Sequence, residues 1–101
     1  MHLVQLLVPL YDNAGKRFPR AMHDRLAKEL AERFGGVTAY ARAPASGLWK
    51  TRGKAKHDDL IVYEVMTARL DVAWWARYRK ALERRFEQDE LLVRSQVTRR
   101  L

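Results

Sequence analysis

The sequence predicts an α+β domain, a four-stranded antiparallel sheet in the order 4-1-3-2 with two helices on one face, over residues 1–101 as a single domain. Three observations predict it. Four short β-rich runs and two stretches of helical periodicity follow one another as β-α-β-β-α-β, the split βαβ pattern. No repeat, linker or low-complexity tract interrupts them. A chain of 101 residues that is 48% apolar is long enough for one core and too apolar for bulk disorder.

The first strand is His2 to Leu10, apolar at both parities and ended by Pro9. Asp12-Asn13-Ala14-Gly15 supplies turn chemistry. A helix follows from about Pro19 to Phe34, with Phe18, Met22, Leu26, Leu30 and Phe34 in one stripe. Asp24 with Lys28 and Glu29 with Arg33 form i,i+4 pairs on its wet side, and Gly35-Gly36 closes it. Val37 to Ala43 reads as strand two, and Pro44 to His57 as a long hairpin connection. Leu60 to Thr67 is the clearest strand. Asp71 caps a second helix in which Trp75, Tyr78, Leu82 and Phe86 stack to about Asp89. Leu91 to Thr98 closes the sheet, with Val93 and Val97 on one side and Arg94 and Gln96 on the other. This is the ferredoxin-like order of elements.

Two helices cover one face of such a sheet. Glu64 decides which, because an unpaired glutamate belongs outside the helix-covered core. Ile61, Tyr63 and Val65 then lie under the helices, and Leu60, Val62, Glu64 and Met66 on the open face. By the same parity Leu3, Gln5, Leu7, Tyr40, Arg42, Leu92, Arg94 and Gln96 are open. So many apolar side chains in one patch call for a cover, and a homodimer packed sheet on sheet provides it. The polar members, Tyr40, Arg42, Glu64 and Arg94, joined by Trp49, would line a cavity for a small ligand. The plainer alternative makes Arg42, Glu64 and Arg94 cross-strand or intersubunit ion pairs.

Charge is unevenly placed. The chain carries 20 Lys and Arg against 12 Asp and Glu, a net +8, yet residues 21–34 and 71–90 each balance acids with bases. The excess lies in Lys16, Arg17 and Arg20 of the first loop and in Lys50, Arg52, Lys54 and Lys56 of the hairpin, connections that leave the same end of the sheet. Arg99 and Arg100 fall at the other end. A basic pole attracts anions, including nucleic acid, and Lys16, Arg17, Lys50, Arg52, Lys54 and Lys56 are its candidates. The RNA-recognition motif shares this strand order. Strand one has no aromatic here, strand three only Tyr63, and the Lys/Arg-Gly-Phe/Tyr-Gly/Ala-Phe run is missing, so base reading on the sheet is excluded.

Little in the sequence is catalytic. Cysteine is absent, which removes disulfides, thiolate metal sites and thiol nucleophiles. His57, Asp58 and Asp59 are adjacent, and neighbours on an extended strand point to opposite faces, so no metal is expected there. His23 lies beside the stripe of helix one and reads as a surface residue. Ser46 and Ser95 sit in no nucleophile elbow. Asn13-Ala14-Gly15-Lys16-Arg17-Phe18 is superficially similar to the phosphate cradle of acylphosphatases, without the Gly-x-Val-x-Phe-Arg run. Trp74 and Trp75 fill the core edge, Trp74 against the β3–α2 connection. No cofactor is expected. Apolar runs reach only four or five residues, against the ~20 that cross a bilayer. Residues 1–10 lack a leader pattern, so a cytoplasmic protein without a membrane partner is expected.

Pro9-Leu10-Tyr11-Asp12-Asn13, Arg33-Phe34-Gly35-Gly36-Val37-Thr38-Ala39-Tyr40, Gly47-Leu48-Trp49 and Asp59-Leu60-Ile61-Val62-Tyr63-Glu64-Val65-Met66 are the runs by which the chain resembles a small uncharacterised bacterial family. Its architecture also resembles the dimeric α+β barrel group, in which two ferredoxin-like subunits pair by their sheets. That group includes cofactor-free monooxygenases, haem-degrading enzymes and muconolactone-type isomerases. The resemblance implies the fold and the dimer and carries no catalytic motif. The leading expectation is a cytoplasmic homodimer with a small anionic or aromatic molecule in the open-face cavity. The alternative is a nucleic-acid or polyanion accessory protein working through the hairpin.

Overall fold

The computed structural model describes residues 1–42 and 59–101, with Arg42 as backbone only. The elements are β1 (His2–Pro9), α1 (Arg20–Phe34), β2 (Thr38–Arg42), β3 (Leu60–Thr67), α2 (Val72–Arg85) and β4 (Leu92–Val97). Their order across the sheet is β2-β3-β1-β4, every neighbouring pair antiparallel. Counted from the β4 edge, the same neighbours read 4-1-3-2. The expected connection over 44–57 lies outside the described residues.

Both helices lie on one face, because residues of one strand parity share a core with residues of both helices. Val4, Leu6 and Val8 of β1 and Tyr63 and Val65 of β3 join Leu26 and Leu30 of α1 and Trp75 and Leu82 of α2. Phe18 and Phe86 close this core at the loop end, ring against edge at 5.0 Å. Burying such side chains is the main favourable term in folding, roughly 1.5–3 kcal/mol for each large one.

The boundaries differ from the sequence reading for local reasons. Pro19 is the N-cap of α1 rather than its first residue, and Gly35 closes the helix at φ 79°. Asp71 caps α2 by accepting from the Trp74 backbone N–H at 3.0 Å. The second helix stops at Arg85, short of Asp89, because Glu87 takes a left-handed φ of 49° and cannot extend it. Leu91 precedes β4 and is buried, its N–H held by the Glu83 carboxylate at 3.0 Å. Val97 shares the parity of Val93 but is 80% exposed, beyond the cover that α2 gives Val93.

The expected pairs Asp24–Lys28 and Glu29–Arg33 are replaced. Glu29 turns to the other helix, where Arg85 grips it with two hydrogen bonds of 2.7 and 2.9 Å and Tyr78 donates at 2.8 Å. Burial pushes the Glu29 carboxyl up, but these hydrogen bonds and the nearby Arg85 and Arg25 charges outweigh it and hold it below its ordinary value. Arg33, left without Glu29, places its guanidinium carbon over Trp74, 4.1 Å from the ring centre, and Trp74 stacks on Tyr78 at 4.8 Å. With Arg85 over Tyr78 at 5.9 Å, the two helices are laced by a pair of stacked rings with a cation at each end. Trp74 therefore packs on α1, through Phe34 and Arg33, rather than on the β3–α2 connection alone.

His23 overturns its reading as a surface residue. It is buried, and its ring meets Phe86 at 5.2 Å and Tyr63 at 5.9 Å. The Pro9 carbonyl, 3.1 Å from Nε2, can only accept, so Nε2 carries the proton and Nδ1 accepts from the Tyr63 hydroxyl at 2.6 Å. One imidazole thus ties the end of β1, helix α1 and β3. Burial, opposed in part by the Pro9 bond, holds its pKa below 6.5, while burial pushes the Tyr63 phenol well up.

Two outcomes follow. Below pH 6.5 the unfolded chain binds a proton at His23 that the folded chain resists, so stability falls with pH from 6.5 down to the lowered folded value. Urea unfolding of the wild type and of His23→Leu from pH 8 to pH 5 should show this slope flattened in the variant. The variant should also lose about 1–3 kcal/mol at high pH, since the Tyr63 hydroxyl loses its 2.6 Å acceptor and keeps only the residue 23 carbonyl at 3.4 Å, and the Pro9 carbonyl loses its donor. Leu26→Ala, at a site with no exposure, should cost about 2–5 kcal/mol by the same measurement.

Candidate functional site

The face away from the helices carries the organised polar structure. Strand register places its side chains in rows. Thr38, Glu64, Gln5 and Arg94 form one row across all four strands. On one side lies the row Tyr40, Val62, Leu7 and Leu92, and on the other Met66, Leu3 and Gln96. A polar stripe therefore crosses the sheet between two mainly apolar ones. The parity that assigns Glu64 to this face is the one that sends Tyr63 and Val65 into the core.

The stripe is hydrogen-bonded from edge to edge. Gln5 donates from Nε2 to Glu64 Oε2 at 2.6 Å and accepts at Oε1 from Arg94 Nε at 2.9 Å. Tyr40 reaches diagonally from its own row and donates to the same Glu64 oxygen at 3.1 Å. The amide orientation of Gln5 follows from its neighbours, since the carboxylate can only accept and the guanidinium can only donate. Gln5 thus relays between an acid on β3 and a base on β4 that are two strands apart. Both donors converge on Oε2 of Glu64, and Gln5 takes Nε of Arg94, whose two terminal nitrogens, with four N–H groups, have no hydrogen-bond partner among the described residues.

The apolar rows are unevenly covered. Val62 is 1% exposed although it lies outside the main core cluster, whereas Tyr40 is 44%, Met66 41% and Leu92 49% exposed. Leu3, Leu7 and Leu60 are half-buried. At the β2–β3 side a groove of about 480 Å³ runs from Leu3, Glu64 and Met66 to Phe34 and the Gly35-Gly36 turn. The described face thus brings together a carboxylate, a phenol, an amide and a guanidinium, of which Glu64 lines the groove together with Thr38.

Of the expected ligand residues, Tyr40, Glu64 and Arg94 share this network. Arg42 belongs to β2 at the open parity, opposite Leu60, and Trp49 lies outside the described residues. Gln5, the member that joins the rest, was not singled out. Its signal is a lone amide in an otherwise apolar strand. Among the basic candidates, Lys16 and Arg17 are exposed in a tight loop whose Asp12 carboxylate accepts from the Ala14 and Lys16 backbone N–H groups at 2.9 and 2.8 Å. Lys50, Arg52, Lys54 and Lys56 lie outside the described residues, as do His57 and Asp58. No group of three His, Asp or Glu side chains positioned for a metal occurs among the described residues, and no described helix is long and apolar enough to cross a membrane. No protein-family model, curated protein or solved structure matches the chain.

If Gln5 carries the coupling, Glu64→Ala and Arg94→Ala should be non-additive. A double-mutant cycle by urea unfolding should give an interaction of about 0.5 kcal/mol or more. The same cycle in a Gln5→Leu background should be additive. An undiminished interaction there would show that the two charges communicate without the amide.

Proposed function

We propose that this protein is a small-molecule-binding homodimer whose protomers pair by their open sheet faces, with Tyr40, Glu64, Gln5 and Arg94 forming the polar floor of the ligand cavity. The observation that carries the reading is the edge-to-edge network, a row of satisfied polar groups set between apolar rows. A solvated face has no need of that arrangement, because isolated cross-strand charges do as well in water. The interleaving of β1-α1-β2 with β3-α2-β4 supports a ferredoxin-like fold, an architecture that leaves one sheet face for assembly.

The polarity of the stripe favours a second copy as the cover. It runs from Tyr40 and Glu64 at the β2–β3 side to Arg94 at the β4 edge. A twofold axis along the strand direction reverses that order in the partner. Each Arg94 then meets the acidic end of the opposite stripe, and the same contact forms twice, as an isologous interface requires. Met66, Leu92 and Leu3 supply apolar area beside it. The ligand this floor favours carries an anionic group for the terminal N–H groups of Arg94 and a hydroxyl or amine for Glu64.

Sedimentation equilibrium at micromolar concentration tests the assembly. The wild type should be a dimer, Arg94→Glu should shift towards monomer, and Glu64→Arg combined with Arg94→Glu should restore association by exchanging the charges. A monomeric wild type would end the reading. Thermal-shift screening with small carboxylates and phenolic acids tests the ligand, and any stabilisation found should vanish in Arg94→Ala. Stabilisation by heparin or DNA in place of these compounds would transfer the function to the basic loops.

A further inference from the structure

A second hollow lies at the end of the sheet where β3 leaves for α2 and where α1 stops. It measures about 310 Å³ and is lined by Arg33, Phe34, Thr67, Arg69, Asp71, Trp74 and Trp75. We propose that Arg33 and Arg69 make this hollow a binding site for the phosphate group of a small phosphomonoester. The site is distinct from the open-face floor and does not rest on it.

The argument begins with how Arg33 is held. Its guanidinium carbon lies 4.1 Å from the centre of the Trp74 ring and 5.7 Å from that of Phe34. Trp74 cannot swing aside, because its ring stacks on Tyr78 at 4.8 Å and meets Trp75 edge-on at the same distance. The guanidinium engages the indole through its carbon, and its N–H groups have no hydrogen-bond partner among the described residues, so they can meet an oxyanion. Neither Arg33 nor Arg69 forms an ion pair among the described residues, although Arg20, Arg25, Arg79 and Arg85 all do. Two cations are thus gathered at one hollow, neither of them in an ion pair among the described residues.

Arg69 comes from a fixed piece of chain. The Thr67 hydroxyl donates to the Arg69 carbonyl at 2.7 Å, which pins the turn between β3 and α2. Asp71 is the one acid on the lining, and its Oδ1 already accepts from the Trp74 backbone N–H at 3.0 Å as the cap of α2. It opposes an anion, as does the carbonyl end of α1, so one guanidinium would be marginal and two are required. The choice of phosphate follows from number. A planar carboxylate satisfies one fork, whereas a phosphate dianion offers three terminal oxygens and can receive both. Phe34 and Trp75 give the adjoining wall an apolar surface for the organic part of the ester.

Calorimetric titration of the full chain with phenyl phosphate and with inorganic phosphate tests this. The wild type should bind phenyl phosphate more tightly than inorganic phosphate. Arg69→Gln should weaken both by about tenfold or more. Arg33→Lys keeps the charge and removes the fork, and it should weaken them comparably, while the exposed Arg77→Gln should not. Thermal melts establish that each variant is folded, and Arg69→Gln, which removes no stacking contact, keeps the test decisive if Arg33→Lys is not. Four results would overturn the proposal: no binding by the wild type at millimolar ligand, unchanged affinity in Arg69→Gln, an equal loss in Arg77→Gln, or tight arginine-dependent binding of a single-stranded oligonucleotide with none of phenyl phosphate.

Discussion

A sheet has two faces, and in this protein a single helical layer serves only one of them. That constraint governs the rest. It requires every strand to alternate strictly, because a shift of one residue would carry Val4, Leu6, Tyr63 and Val65 out of the core and bring Gln5 and Glu64 into it. It also leaves a surface of strand width and length on which side chains meet no helix. The hydrogen-bonded row of Tyr40, Glu64, Gln5 and Arg94 exists because the register between four strands is fixed by the opposite face.

The element order was legible for a simple reason. Period-two and period-four patterns are written in residue types, and Glu64 alone assigned the faces correctly because a buried unpaired acid is so costly. What escaped was anything decided by a partner distant in the chain. His23 looks like a wet-face residue when α1 is viewed alone; only the folded neighbours show that Tyr63 and Pro9 satisfy both its nitrogens. Glu29 has an obvious partner one turn away in Arg33 but takes Arg85 and Tyr78 of the other helix, keeping only Arg25 as its i,i+4 partner, since a two-pronged guanidinium joined by a phenol holds it more strongly than an exposed pair. The end of α2 was overestimated because charged residues through Glu90 continue a plausible helix, and nothing local announces the left-handed turn at Glu87.

The candidate site follows the same division. Its charged members could be placed from parity, as residues of the right kind on the uncovered side. Their connection could not, because Gln5 is an unremarkable amide until register sets it between Glu64 and Arg94. Arginine is used in several different ways among the described residues. Arg85 locks a carboxylate between helices, Arg94 ends a polar stripe, and Arg33 lies against an indole. Only packing context separates these roles, so a count of basic residues says little about where the protein meets an anion.

The central position of β1 has a consequence for biosynthesis. Its two neighbours are β3 and β4, so His2 lies opposite both Thr67 and Val97. This strand is therefore made before either neighbour, and its second flank stays unpartnered until β4 has followed. During that interval β1 offers a long, uncharged edge of the kind that recruits other extended chains. The growing polypeptide should thus rely on chaperone shelter over this interval, a dependence that originates in topology rather than in stability.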